Sequence, residues 1–104
     1  MTLTQLSPLE NIKRNKTQMY IDVLRAVKDG LKKPTRIMYR SNLSWRPLKN
    51  ILDELVTLGL VERKTVNPQN GYRKRAIYMI TKKGAKIVQK ANELENELIY
   101  AFQS

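Results

Sequence analysis

Arg46, Lys49 and Asn50 fall one helical turn apart, and Arg63, Lys64, Arg73, Lys74 and Arg75 bracket a single short loop. These side chains are hydrogen-bond donors, cationic in every case except the asparagine. Arg or Lys can donate to the guanine edge and Asn can pair with adenine, provided they reach the floor of a groove. The five cations around the loop suit a run of phosphates. Like charges placed opposite one another on a hairpin destabilise it, so gathering them there makes sense if a polyanion neutralises them. The plainer readings are a solvated basic helix face and a strand edge blunted against aggregation by Lys and Arg.

The chemistry the chain lacks narrows the field further. Among 104 residues there is no His and no Cys, which removes the commonest general base, disulfides, thiolate metal sites and a cysteine nucleophile. The four glycines are scattered, so no glycine-rich phosphate loop exists. Glu93 and Glu97, four apart, could share a metal, but a solvated, Lys-paired helix face is much the stronger reading. No motif joins a nucleophile to a base. An enzyme is not expected, and no cofactor.

The 20 Lys and Arg against 9 Asp and Glu give a net charge of +11, which favours fast, salt-sensitive association with polyanions. All 20 cations lie before residue 93, whereas the last twelve residues carry Glu93, Glu95 and Glu97 and no cation. The basic part and the acidic end therefore have different tasks. No apolar run is long enough to cross a membrane and the first residues lack a signal-peptide layout, so an intracellular, cytoplasmic setting is expected.

The elements that must position these groups follow from spacing. Residues 1–15 form an arm or a short helix, with Ser7-Pro8-Leu9-Glu10 in capping-box form and Lys13 and Arg14 beyond it. From Lys16 to Asp29, Met19, Tyr20, Val23, Leu24 and Val27 recur at spacings of three and four, and Gly30 stops that helix. Pro34 or Thr35 opens a short second helix with Ile37 and Met38 inward and Arg36 and Arg40 outward, broken at Ser41-Asn42-Leu43. Ser44 caps a third helix to about Thr57, Pro47 being tolerated in its first turn. Leu48, Ile51, Leu52, Leu55 and Val56 form its buried stripe, with Arg46, Lys49, Asn50 and Asp53 opposite; Gly59 ends it. Trp45, beside the cap, is expected to pack on the turn, and Asp53 to repel phosphate beyond the first two turns.

The period then changes to two. Val61 to Val66 and Arg73 to Ile80 read as strands joined by Asn67-Pro68-Gln69-Asn70-Gly71, a hairpin in which Arg63 and Lys64 face Arg73, Lys74 and Arg75. Asn70-Gly71 allows a sharp tip, and Tyr72 could touch sugar or phosphate there. Thr81 caps a last helix to about Phe102, in which Gly84, Ile87, Ala91, Leu94, Leu98 and Ala101 trace a heptad seam. Its Lys-rich first half and Glu-rich second half favour an antiparallel pair, because a parallel one sets like charges together; folding back on its own domain is the alternative.

Three helices followed by a hairpin is the order of a winged helix-turn-helix, an α+β fold in which the third helix enters the major groove and the hairpin, or wing, lies along the backbone. Residues 16–81 form that domain and residues 82–104 a dimerisation helix. Arg36, Arg40, Ser44, Arg46, Lys49, Asn50, Arg63, Lys64, Asn70, Arg73, Lys74 and Arg75 make up the DNA-facing set; Ile87, Ala91, Leu94, Leu98 and Ala101 make up the dimer seam.

The stretch Lys33-Pro34-Thr35-Arg36-Ile37-Met38-Tyr39-Arg40-Ser41-Asn42-Leu43-Ser44-Trp45, with Leu58-Gly59-Leu60-Val61-Glu62 and Tyr78-Met79-Ile80-Thr81-Lys82-Lys83-Gly84, resembles the small archaeal winged-helix DNA-binding proteins of the Sulfolobus ten-kilodalton "10a" type. The resemblance runs from about Lys13 to Phe102. It implies a homodimer through an antiparallel coiled coil of the last helix, double-stranded DNA bound by the third helix and wing, and a nucleoid-organising or transcriptional role. The residues themselves leave two other readings open: a winged-helix protein-interaction module within a larger assembly, and a binder of structured RNA.

Overall fold

A computed structural model describes residues 15–67 and 74–103. The capping box at Ser7–Glu10, the basic pair Lys13 and Arg14, and the tip residues Asn70, Gly71, Tyr72 and Arg73 lie outside the described residues. The elements run α1 (Lys16–Lys28), α2 (Pro34–Ser41), α3 (Trp45–Thr57), β1 (Val61–Val66), β2 (Arg75–Ile80) and α4 (Lys82–Gln103).

The helix ends are written in local chemistry. Asn15 caps α1, its side chain accepting from the Gln18 amide at 2.8 Å, and Thr81 caps α4 in the same way from Gly84 at 3.0 Å. Ser44 holds the N-cap backbone geometry of α3 but makes no side-chain cap bond. The third helical position is the donor such a cap uses, and here that position is Pro47, which has no N–H. The serine is exposed. The expectation of a working Ser44 cap is corrected by its own neighbour.

At the other end, α3 closes with Gly59 at φ 74°. The Leu60 amide reaches back to the Leu55 carbonyl at 2.9 Å and the Gly59 amide to Val56 at 3.0 Å. That pair of bonds needs a left-handed residue, which glycine supplies without Cβ strain. It turns the chain sharply from α3 into β1, so the wing starts directly beside the helix it flanks.

Val23, Leu24 and Val27 of α1, Ile37 of α2, Leu48, Ile51, Leu52 and Leu55 of α3, Val61 and Tyr78 of the hairpin and Val88 of α4 share one core. The first three helices contribute the stripes that their apolar spacing marks out, whereas α4 contributes Val88. The hairpin is antiparallel, with Val61 opposite Ile80, Arg63 opposite Tyr78, Lys64 opposite Ile77 and Val66 opposite Arg75. A backbone bond from the Tyr78 amide to the Lys32 carbonyl, 3.0 Å, ties the α1–α2 connection to the free edge of β2.

The final helix divides in two. Its first turns are locked to the domain: the Thr81 hydroxyl donates to the Gly59 carbonyl at 2.8 Å, Lys83 Nζ to the Leu58 carbonyl at 3.3 Å, and Gly84 and Val88 are buried. Gly84 was expected in the heptad seam. It instead lies so close to the Leu60 carbonyl that an added Cβ would come within 2.1 Å of that oxygen. Arg25 of α1 then grips Asn92 at 2.9 Å and Glu95 at 3.1 Å. From Asn92 to Gln103 every described residue is exposed.

Candidate nucleic-acid interface

The outer side of α3 carries Arg46, Lys49 and Asn50, all exposed, opposite the stripe that enters the core. Among the described residues no partner engages Arg46 or Asn50. Lys49 donates to Asp53 at 3.1 Å, one turn further along the same face. Asp53 also accepts a hydrogen bond from Arg63 of β1. These bonds, that of Lys49 first and that of Arg63 second, hold the Asp53 carboxyl below its ordinary pKa. The carboxylate that was expected to repel phosphate is therefore matched by two cations.

On the wing, strand alternation separates the cations. Arg63 shares a face with Val61, Thr65, Tyr78 and Ile80, whereas Lys64 and Arg75 share the other with Val66 and Ile77. Contrary to expectation, Arg63 and Lys64 do not stand opposite Lys74 and Arg75: the register sets Arg63 against Tyr78 and Lys64 against Ile77, and β2 begins at Arg75, leaving Lys74 ahead of the strand. The Arg63 guanidinium lies over the Tyr78 ring, 5.4 Å from its centroid, and its Nε donates to the Tyr78 hydroxyl at 3.1 Å. Its position is set by Tyr78 and Asp53, so it joins the wing to α3. Lys64, Lys74 and Arg75 are exposed and engage no other described residue.

On α2, Arg36 is exposed without a partner among the described residues, while Arg40 pairs with Asp29 at 2.9 Å. Ion pairs between exposed groups are weak, so Arg40 can exchange Asp29 for another anion at little cost.

Two aromatic residues complete this surface. Trp45, expected to pack on the turn, stands at the first position of α3 with its side chain about half covered and 47% exposed. Tyr39, which was not singled out from the sequence, is 76% exposed on α2. Its place between Arg36 and Arg40, off the Ile37–Met38 face, was the available signal.

The seam residues of α4 fall on both sides of the domain edge. Ala91 is partly covered, whereas Ile87, Leu94 and Leu98, with Ile99 and Phe102 beside the last two, are exposed, Ile87 by 40% and Phe102 by 86%. Among the described residues no three acidic side chains gather as a metal site, and no helix is long and apolar enough to cross a membrane.

Two short helices joined by a tight turn and followed directly by a two-stranded wing define the class: this is a winged helix-turn-helix domain. The winged helix-turn-helix family model matches residues 13–98, and the chain belongs to that family. An uncharacterized protein of Methanocaldococcus jannaschii, MJ0290, is 32% identical over 88 residues, covering 85% of this chain; the chain spans 37% of that relative's length. Among solved structures, Sso10a-2, a DNA-binding protein from Sulfolobus solfataricus, superposes with a TM-score of 0.63 at 26% identity, over 86% of this chain and 90% of its own. The transcriptional regulator BldR, also from Sulfolobus solfataricus, shares the fold, with a TM-score of 0.66 at 22% identity over 95% of this chain and 66% of its own.

Proposed function

We propose that this chain is a double-stranded DNA-binding protein of the transcriptional-regulator or nucleoid-organising kind. In this reading α3 enters the major groove, and the wing lies on the backbone. The observation that carries it is the set of donors on the first two turns of α3: Arg46 and Asn50 are exposed and engage no other described residue, in the part of the helix that reaches deepest in this motif. Arg36, Lys64, Lys74 and Arg75 flank them as phosphate contacts. The likeness to Sso10a-2, described as DNA-binding, supports the same reading.

The working unit is a homodimer formed through α4. Leu94 and Leu98 at heptad spacing, 58% and 51% exposed, support a helix–helix seam, with Ile87, Ala91 and Ala101 extending it. Lys82, Lys83, Lys86 and Lys90 toward one end and Glu93 and Glu97 toward the other favour antiparallel pairing. Two heads so joined would contact one duplex about a helical turn apart or bridge two. A duplex-bound protein of this kind belongs in the cytoplasm with the nucleoid.

Titration of a labelled duplex at several salt concentrations tests the proposal. Contact with about six to ten phosphates lowers affinity ~10³–10⁵-fold between 50 and 200 mM salt. Binding indifferent to salt, or stronger to an RNA duplex than to DNA, refutes it.

A further inference from the structure

Trp45 is the only tryptophan in the chain, and the fold leaves its side chain 47% exposed at the first residue of α3. An aromatic side chain of this size is among the largest apolar contributions available to a small core. Here about half of it stays in water, although Leu48, Ile51, Leu52 and Leu55 of the same helix are buried. Along the helix Trp45 shares an edge with Lys49, one turn on. Lys49 leans away from the ring, its Nζ reaching Asp53 at 3.1 Å. Arg46 follows, exposed, and the uncapped Ser44 hydroxyl precedes it.

The indole is therefore an apolar spot set among donors and cations. Its surroundings fit a polyanion; its ring needs an apolar group within that polyanion. An apolar protein surface would satisfy the ring but leave Arg46 without a counter-charge. The major groove of a duplex satisfies both, because phosphates line its rims and the 5-methyl group of thymine projects from its floor.

We infer that Trp45 is a specificity-determining residue that packs on pyrimidine 5-methyl groups in the major groove and biases this chain toward thymine under the first turn of α3. The inference rests on the duplex-binding reading above and adds the base feature that is read. Uracil in place of thymine keeps every charge, donor and acceptor and removes only the methyl; 5-methylcytosine adds a methyl at the same ring carbon to a G·C pair.

The test compares the full chain on two pairs of otherwise identical duplexes over one series of salt concentrations, thymine against deoxyuridine and cytosine against 5-methylcytosine, and repeats the first pair with Trp45→Ala and Trp45→Phe. The wild type should lose about fourfold in affinity per contacted methyl on going to uracil, the factor that burying one such group is worth, and gain similarly from 5-methylcytosine. Trp45→Ala should bind thymine and uracil duplexes alike, with the salt slope of the wild type, since phosphate contacts are untouched. Trp45→Phe should keep part of the discrimination. The single indole's fluorescence should shift when duplex is added. Equal wild-type affinity for thymine and uracil duplexes overturns the inference while leaving duplex binding standing, as does a Trp45→Ala variant that still discriminates. No binding to any duplex overturns both.

Discussion

Arg63 on β1 donates a hydrogen bond to Asp53 on α3, so the wing and the helix beside it share one carboxylate. Lys49 reaches the same group from the other side. The contact gives a two-stranded ribbon, which is marginal on its own, a fixed angle to the helix. It also removes an uncompensated negative charge from a surface otherwise rich in cations.

Asp53→Asn tests that arrangement through pH. The folded-state pKa of Asp53 is depressed by its bonds from Lys49 and Arg63, so its contribution to stability is present above the ordinary aspartate value of about 3.9 and is lost as pH falls through the lower folded value. The wild type should melt above Asp53→Asn at neutral pH, and the two should converge below about pH 4. Removing the carboxylate also raises the local positive charge, so the variant should bind duplex more tightly at low salt and lose that gain as salt screens it. Thermal melts from pH 2 to 7 and a salt titration check both parts.

Arg46→Ala and Lys64→Ala should fail differently. If Arg46 reads a base edge, its loss costs about 1–3 kcal/mol and relaxes preference at one position. Lys64, on the outward face of the wing, should weaken all sequences alike and lower the salt slope by about one. Arg75→Ala should follow Lys64. Binding measured across a randomised duplex pool distinguishes the two patterns; identical behaviour would remove the distinction between reader and clamp.

Gly84→Ala should destabilise the fold even though alanine is the better helix former by about 1 kcal/mol. The new Cβ would lie 2.1 Å from the Leu60 carbonyl and 2.8 Å from Ile80 Cδ1. The backbone oxygen cannot move without opening the Gly59 turn, so overpacking of about 1–3 kcal/mol should exceed the helix gain. A lowered melting temperature checks it; an unchanged or raised one would mean that α4 shifts freely against the α3–β1 turn.

Leu98→Asp should abolish the dimer without unfolding the domain, because Leu98 is exposed and lies beyond the Arg25–Glu95 anchor. Light scattering should give a dimer mass for the wild type and a monomer mass for the variant, with unchanged circular dichroism in the winged domain. Leu94→Asp should do the same. A wild type that is monomeric at every concentration refutes the seam.

Much of this protein is local, and local features can be read along the chain. The stripes of α1 and α3, the stop at Gly59, the Thr81 cap and the change of period from three-and-four to two are each decided within a turn or so of the residues concerned, as helix and strand geometry require. The features the chain order did not convey are those set by what lies opposite. Arg63 meets Tyr78 rather than another cation because an antiparallel register assigns every side chain its face at once, and only pairing chooses the offset. Gly84 serves the α3–β1 turn instead of a seam because the Leu60 carbonyl happens to lie against it. How far Trp45 is covered, about half in the folded chain, is likewise set by packing, which unlike periodicity is a property of the assembled domain.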